Sequence, residues 1–314
     1  ASMEIPSTHA GVVKEVADEG RDLRDSKDQG PGLIRIGGRT AQHHHNLLDR
    51  WFISSNIMPR FAVSTMFFHE YPCDHIFDYI AESGLDSLEF WVETPHFWLA
   101  GRPEGDLSCC IADHPDLSPI TIHAPSLDLN PCSINPEVAA ISVDYAVESV
   151  RMADRMGAAV VTVHPGRRTA KRPPSAYDYQ RFEEYVARLR EAAAETQVKV
   201  AIENLEPRVN ALLTTAEDAA EVLEREPWLR FTLDMGHAMM TSCDEVLRFI
   251  DLCIERMVNV HVSGLGENGR PHYPIHDDPD AMRVLTELAD RGYDGYLTLE
   301  LEDMVFPGAL SSEE

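Results

Sequence analysis

Six short apolar runs of this chain each close on a residue of the metal-ligand type: ITIH on His123, VVTVH on His164, VKVAIE on Glu203, RFTLD on Asp234, VNVH on His261 and LTLE on Glu300. Runs of this length, rich in Val, Ile and Thr, read as buried parallel strands. A carboxylate or imidazole at the end of a buried strand costs burial energy unless something pairs with it. One such ending is a helix cap or a hydrogen-bonded core residue. A repeat at every strand from the third to the eighth implies that the strand ends converge on one polar centre, and a metal ion is the simplest centre to share. Carboxylate oxygens with an imidazole suit Mn²⁺, Zn²⁺, Mg²⁺ or Co²⁺, and no cysteine lies near these positions to make a structural zinc site.

The elements that must position them follow from the rest of the pattern. From Phe61 onward, strand-like runs alternate with amphipathic helical ones at the pitch of βα units. FAVSTMFF and SLEFWV precede the six runs already named, which makes eight strands. A helix opened by Pro136 and closed by Gly157 shows both terminal signals, and Thr215 with Asp218 forms a capping-box-like opening. The prediction is an α/β fold, a (β/α)8 TIM barrel, in which all strand ends share one rim. No G-x-G-x-x-G follows the first strand, which argues against a doubly wound open sheet. Residues 95–119 read as a long irregular loop, and 264–278 as another, with Gly264, Gly266 and Asn268 forming a turn whose N–H groups are candidates to hold a phosphate. Residues 1–57 mix charge with glycine and lack periodicity, so they read as an N-terminal extension, the barrel domain being 58–314. His43, His44 and His45 in that extension are read as an adventitious surface triplet.

The formal net charge is −26, which opposes a polyanionic partner such as nucleic acid or an anionic membrane surface. Arg167, Arg168, Lys171 and Arg172 are the one basic run near the rim, either a solvated loop or an anion clamp. The hydrophobic share of 44% supports a sizeable core. No apolar stretch is long enough for a membrane span. The six cysteines are scattered without a C-x-x-C, which fits reduced thiols and a cytoplasmic location. A homo-oligomer is compatible with all of this.

In this order and spacing, ITIHAP, VTVHPG, VAIEN, LDMGHA, VNVHVSG and YLTLE resemble the xylose-isomerase-like TIM barrels over about residues 59–303. That superfamily holds sugar and sugar-phosphate isomerases and epimerases together with the type IV apurinic/apyrimidinic endonucleases. The first branch implies one divalent metal on Glu203, Asp234, His261 and Glu300. It also implies that Glu203 and Glu300 carry the proton transfers, one removing a proton alpha to a carbonyl and the other returning it through an enediolate. The endonuclease branch implies up to three zinc ions, with His123, His164, His237 and His272 as further ligands. Its loop pattern Asp-x-His reads Arg270-Pro271-His272 here, unless Asp277 or Asp278 substitutes. With a cation at that position, His123, His164, His237, His272 and Arg270 are expected to contact substrate.

The function expected from these residues is a divalent-metal-dependent isomerase or epimerase of a sugar, sugar phosphate or related polyhydroxy carbonyl compound. Its metal is Mn²⁺ or Zn²⁺, with Mg²⁺ or Co²⁺ as alternatives, one ion expected and up to three accommodated, and its partner is a small carbohydrate. Two other readings compete: a zinc-dependent abasic-site phosphodiester hydrolase, and a non-catalytic sugar- or protein-binding barrel. Glu302, in phase with Glu300, is a rival for its role. Glu89 and Trp91, ending the second strand, face either the rim or the packing layer. His96 and Trp98 are candidates for a lid.

Overall fold

The computed structural model describes residues 58–68, 71–275 and 278–303. The proposed extension over 1–57, its histidine triplet and Asp277 lie outside the described residues. Eight parallel strands close into a barrel in sequence order: β1 (Arg60–Ser64), β2 (Ser87–Trp91), β3 (Thr121–His123), β4 (Val160–Val163), β5 (Lys199–Glu203), β6 (Arg230–Asp234), β7 (Met257–Val262) and β8 (Tyr296–Leu299), with β8 pairing back onto β1. Between them run α1 (Cys73–Ser83), α2 (Pro95–Leu99), α3 (Glu104–Asp113), α4 (Pro136–Arg155), α5 (Ala176–Ala193), α6 (Ala216–Arg225), α7 (Met235–Met239), α8 (Cys243–Cys253) and α9 (Pro279–Asp290). No helix among the described residues is long and apolar enough to cross a membrane. All six cysteines are free.

Successive side chains of a strand point to opposite faces, so each strand divides its residues between two environments. One set, including Val63, Leu88, Phe90, Ile122, Val161, Val163, Ile202, Phe231, Leu233, Val260 and Leu297, joins the large core under the helices. The other set faces the barrel interior. Its lower layer is a small apolar plug of Ala62, Val160, Ala201 and Tyr296. Above the plug lies a buried polar layer of Glu89, Thr121, Thr162, Thr232, Asn259 and Thr298. Continuing the same parity by two residues gives His123, His164, Glu203, Asp234, His261 and Glu300 at the rim.

A bulge keeps this parity where β6 meets β7. Phe231 pairs with Met257 and Thr232 with Asn259, so β7 carries one extra residue opposite β6. Met257 can then pack in the outer core while Asn259 and His261 turn inward beside Thr232 and Asp234.

The helices start where side chains satisfy their free N–H groups. Asn135 accepts from Glu137 N, Thr215 from Asp218 N, Ser242 from Glu245 N, and Ser175 with Asp178 makes a full capping box. Gly84, at the end of α1, takes φ of +82°, the left-handed geometry of a helix stop.

Two segments differ from the expectation. The first strand ends at Ser64 rather than Phe68: Thr65 turns its hydroxyl to the Trp91 N–H and to Thr94 Oγ1, and Thr65–Phe68 form a 3-10 turn. Residues 95–119 are not an irregular loop but hold α2, α3 and a 3-10 turn at Pro115–Leu117. Leu107 is the one fully buried residue of α3, and with Cys110 and Ile111 it makes an apolar period of a single turn, too short to mark the helix in the sequence. Trp98 packs against Tyr145 of α4, with ring centroids 5.1 Å apart, rather than over the rim.

Helix α8 seats Phe249 flat on Phe231 of β6, with centroids 5.7 Å apart and planes 10° from parallel. Both are fully buried. Phe249→Ala is expected to cost about 3–5 kcal/mol, because the cavity lies between a helix and a closed barrel that cannot collapse into it. Urea unfolding of the two proteins checks this, with a lowered midpoint and an unchanged slope as the expected outcome.

Candidate metal centre

Four ligand-type side chains from consecutive strand ends meet at the rim. Ligand atoms of Glu203 (β5), Asp234 (β6), His261 (β7) and Glu300, one residue past β8, all lie within 4.8 Å of one another, and all four residues are buried. His261 Nδ1 is 3.1 Å from Glu203 Oε1, 3.2 Å from Glu300 Oε2 and 3.8 Å from Asp234 Oδ2. Asp234 divides its carboxylate: Oδ1 caps α7 by accepting from His237 N at 2.6 Å, and Oδ2 is left for the centre. Asn204 ties the ends of β5 and β6 together, donating to Asp234 O at 2.9 Å and accepting from Asp234 N at 2.8 Å. The glycine of LDMGHA is needed for packing, since a Cβ at Gly236 would stand 2.3 Å from Ser263 Oγ.

The histidines expected at the substrate face fall into two groups around this set. His123 Nε2 and His164 Nε2 lie 3.2 and 3.1 Å from Glu203 Oε2, so that carboxylate is flanked by imidazoles on both oxygens. On the other side, His237 and His272 stand edge to face, 5.3 Å apart, and group with Asp234. His272 has a left-handed backbone (φ +67°), uncommon for a residue with a Cβ, and its carbonyl accepts from Glu302 N. The structure therefore holds three overlapping ligand groups that share Glu203 and Asp234.

Other candidates lie apart. Arg270 is exposed, and its backbone N–H bonds to the Asn268 side chain. Glu302 is outside the three groups. Asp278, offered as a substitute ligand, is the N-cap of α9. The N–H groups of Gly264 and Gly266 are taken by the carbonyls of Tyr273 and Arg270 in a small antiparallel turn, so they do not form a phosphate nest. In the basic run, Arg168 turns to the Pro173 carbonyl, Lys171 and Arg172 are exposed, and Arg167 lines a cleft beside His164 with Ser126, Gly166 and Tyr185.

The residue that sequence reasoning underweighted is Glu89. It is neither at the rim nor in the helix-facing layer but fully buried inside the barrel, with Oε1 3.0 Å from His261 Nε2. Its one visible signal is parity, two residues before the end of β2.

Whether a divalent cation fits is decided by the atoms themselves. Among the described residues, Asp234 Oδ2, Glu300 Oε2 and His272 Nδ1 are buried without a hydrogen-bond partner, which is costly unless a ligand completes them. Two histidines also have the nitrogen away from the centre occupied: His123 Nδ1 faces Ala124 O at 2.8 Å, and His261 Nε2 faces Glu89. A carbonyl or carboxylate oxygen can only accept, so these nitrogens carry the protons, the arrangement that backs metal-bound imidazoles. Two ligands at right angles, each about 2.1 Å from an ion, stand about 3 Å apart, close to the separations seen around His261 Nδ1. The donor set fits a divalent cation.

Without that cation, protons do its work. Burial disfavours the His123 imidazolium, but the Glu203 carboxylate outweighs it and raises the group to about 9. His261 is likewise raised well above its usual value against the cost of burial by Glu300, Glu89 and Glu203. Burial pushes the Asp234 carboxyl up to about 7, with His237 opposing. Burial also pushes Glu203 and Glu300 upward, but the facing imidazoles hold both below the usual carboxylate range.

Comparison with known proteins agrees with the architecture. The profile of the family described as "Xylose isomerase-like TIM barrel" matches residues 77–314. An uncharacterized protein of Methanocaldococcus jannaschii is 31% identical over 248 residues, covering 78% of this chain and 90% of its own. Fructoselysine 3-epimerase of Shigella flexneri is 23% identical over 239 residues, covering 74% and 86%. Among solved structures, a D-tagatose 3-epimerase-like protein superposes with a TM-score of 0.64 at 24% identity, covering 77% of this chain and 90% of its own.

The charge pattern predicts how pH and cation interact. A raised group stabilises the fold below its unfolded value and loses that contribution as pH rises through its folded value. For His123 the loss runs from 6.5 to about 9, and for Asp234 from 3.8 to about 7. Glu203 and Glu300 act in the opposite sense, below 4.5. Chelator-treated protein should therefore melt at a lower temperature at pH about 8.5 than at about 6.5. Because the cation competes with these protons, the rise in melting temperature on adding Mn²⁺ should be larger at the higher pH. Calorimetric scans at both values check the two signs.

Proposed function

The chain belongs to the xylose isomerase-like TIM barrel family, and from that premise we propose that it is a divalent-metal-dependent isomerase or epimerase of a sugar, sugar phosphate or related polyhydroxy carbonyl compound. The observation that carries this is the buried ring of Glu203, Asp234, His261 and Glu300, with carboxylate oxygens that no protein donor completes. The named activity of fructoselysine 3-epimerase supports a carbohydrate substrate.

When bound, the metal supplies electrostatic stabilisation of the negative charge that develops on the carbonyl and neighbouring hydroxyl oxygens of the substrate. Glu203 and Glu300 are the proton carriers. They come from β5 and from the end of β8, so they approach the shared space from different arcs of the barrel. One, as the carboxylate, removes the proton alpha to the carbonyl, and the other, as the carboxylic acid, delivers its own proton to the opposite face, which inverts the carbon. His123 and His164 hold Glu203 through Oε2, leaving Oε1 toward the centre. His237 and His272 meet substrate hydroxyls on the other side. Arg270, being exposed, is assigned to the outer end of the substrate, where a phosphate or other anionic group would lie.

A second reading, zinc-dependent hydrolysis of phosphodiesters at abasic sites, is favoured by one observation. The groups His123–His164–Glu203 and Asp234–His237–His272 provide ligands for further ions beyond the inner set. The net charge of −26 and the exposed Arg270 in the loop weigh against it.

The two separate on metal content and exchange. Purified protein should hold about one metal per chain for the isomerase reading, and two or three zinc ions for the hydrolase. Metal-loaded protein in deuterated water should exchange a C–H proton of a ketose such as D-tagatose, followed by proton NMR. Glu203→Gln should slow that exchange by about 10²–10⁴-fold. Cleavage of an abasic oligonucleotide, with no exchange in any ketose or aldose tried, would replace the first reading by the second.

A further inference from the structure

We propose that Glu89, inside the barrel beneath the rim, is a positioning residue that fixes which nitrogen of His261 is presented to a metal. The inference rests on the metal reading of Glu203, Asp234, His261 and Glu300. Glu89 is a carboxylate with no exposure to solvent, set in the polar layer between the apolar plug and the ligand ring. Its Oε2 accepts from Asn259 Nδ2 at 2.9 Å and from the hydroxyls of Thr121 and Thr162 at 3.4 and 3.5 Å. Both oxygens face His261 Nε2, Oε1 at 3.0 Å and Oε2 at 3.3 Å. Among the described residues Oε1 completes no hydrogen bond, and the imidazole bonds to Oε2.

The orientation of this network is determined from below. Thr298 Oγ1 donates to Asn259 Oδ1 at 2.8 Å, which leaves the Asn259 N–H₂ to point at Glu89. Oε2 therefore meets the fixed Asn259 donor and the imidazole together, and Oε1 lies 3.0 Å from the same imidazole nitrogen. An ionised carboxylate accepts on both oxygens, so Nε2 of His261 must be the protonated nitrogen. Once a metal displaces the second proton, Nδ1 is the nitrogen with the free lone pair, and it is Nδ1 that faces Glu203, Glu300 and Asp234. A buried plug that only filled space would need no charge here. An acceptor on both oxygens is what the imidazole requires.

Glu89→Gln tests this because it keeps the shape and removes one acceptor. With its carbonyl held by the Asn259 donor, the new amide sets its N–H₂ in the place of Oε1, 3.0 Å from Nε2 in the wild type. Two N–H groups facing each other repel, which favours the tautomer with the proton on Nδ1 and takes the lone pair away from the metal. Titration calorimetry with Mn²⁺ should show a 10–100-fold loss of affinity in Glu89→Gln. Glu89→Asp, which keeps an acceptor but leaves a methylene-sized gap, should bind Mn²⁺ more tightly than Glu89→Gln yet melt at a lower temperature without metal. A space-filling role predicts the reverse order in affinity, and Mn²⁺ binding by Glu89→Gln equal to wild type overturns the proposal.

Should Glu89→Gln fail to fold, ¹⁵N-histidine NMR of the wild-type protein loaded with Zn²⁺ decides instead. A proton on His261 Nε2 supports the role, and a proton on Nδ1 overturns it. If the wild-type protein binds neither metal, the metal reading itself fails and takes this inference with it, whereas tight wild-type binding with no effect at Glu89 sinks the positioning role alone.

Discussion

The constraint on which this barrel turns is the burial of like charges. Glu203, Asp234, Glu300 and Glu89 are all nine-tenths or more buried, within reach of one imidazole. Carboxylates so close in a medium of low dielectric repel strongly, and each also loses its hydration. Such a cluster persists only if cations sit among its members. The protein supplies part of that positive charge through His123, His237 and His261, and the oxygens left unsatisfied among the described residues show that the compensation is incomplete. Most features around the rim serve this requirement. Asp234 caps a helix with one oxygen only, Asn204 aligns two strand ends, and the β7 bulge returns His261 to the interior.

A fold can carry such a cluster because its stability is generated elsewhere. The face of the sheet under the helices contributes to one large apolar core, whereas the barrel interior holds a plug of only four buried side chains. The two faces of a strand are separated by parity alone. A sequence can therefore place polar and charged residues at every second position and still bury Val, Leu, Ile and Phe at the others. The cost is that register becomes strict. A slip of one residue would carry the ligands into the helical layer and the aliphatic residues into the site.

This division explains what could be read without coordinates. The rim residues were legible because each closes an apolar run, and six runs in order make coincidence a poor account of them. The barrel was legible for the same reason, as strands and helices alternate with clear stops such as Gly84 and Gly157. Glu89 was not, because it lies inside a run and its partner His261 is 172 residues away, so no local spacing links them. The helices in residues 95–119 were hidden by chemistry of a different kind. α3 buries only Leu107 fully, with Cys110 and Ile111 half-buried beside it, so its apolar face is too narrow to stand out from a loop. The turn holding Gly264 and Gly266 looked like a free nest because a sequence does not say which N–H groups are already paired.

The outer histidines then bear directly on the chemistry of Glu203. A general base works best when its pKa lies near the operating pH. Imidazolium groups on both oxygens hold Glu203 far below that range, so in the metal-free site it is a weak base with its charge already neutralised by protons. A metal that displaces the proton of His261 leaves His123 and His164 as the remaining contacts on Oε2. In the proposed reaction these two contacts on Oε2 compete with the substrate proton for the charge of Glu203. Were the same two side chains to hold a second ion instead, Glu203 would be shared with that ion and would have less charge left for a proton. Under the proposed isomerase reading, proton transfer and ion binding would then be competing uses of one carboxylate, and the number of metals bound would bear on the reaction as well as on the site.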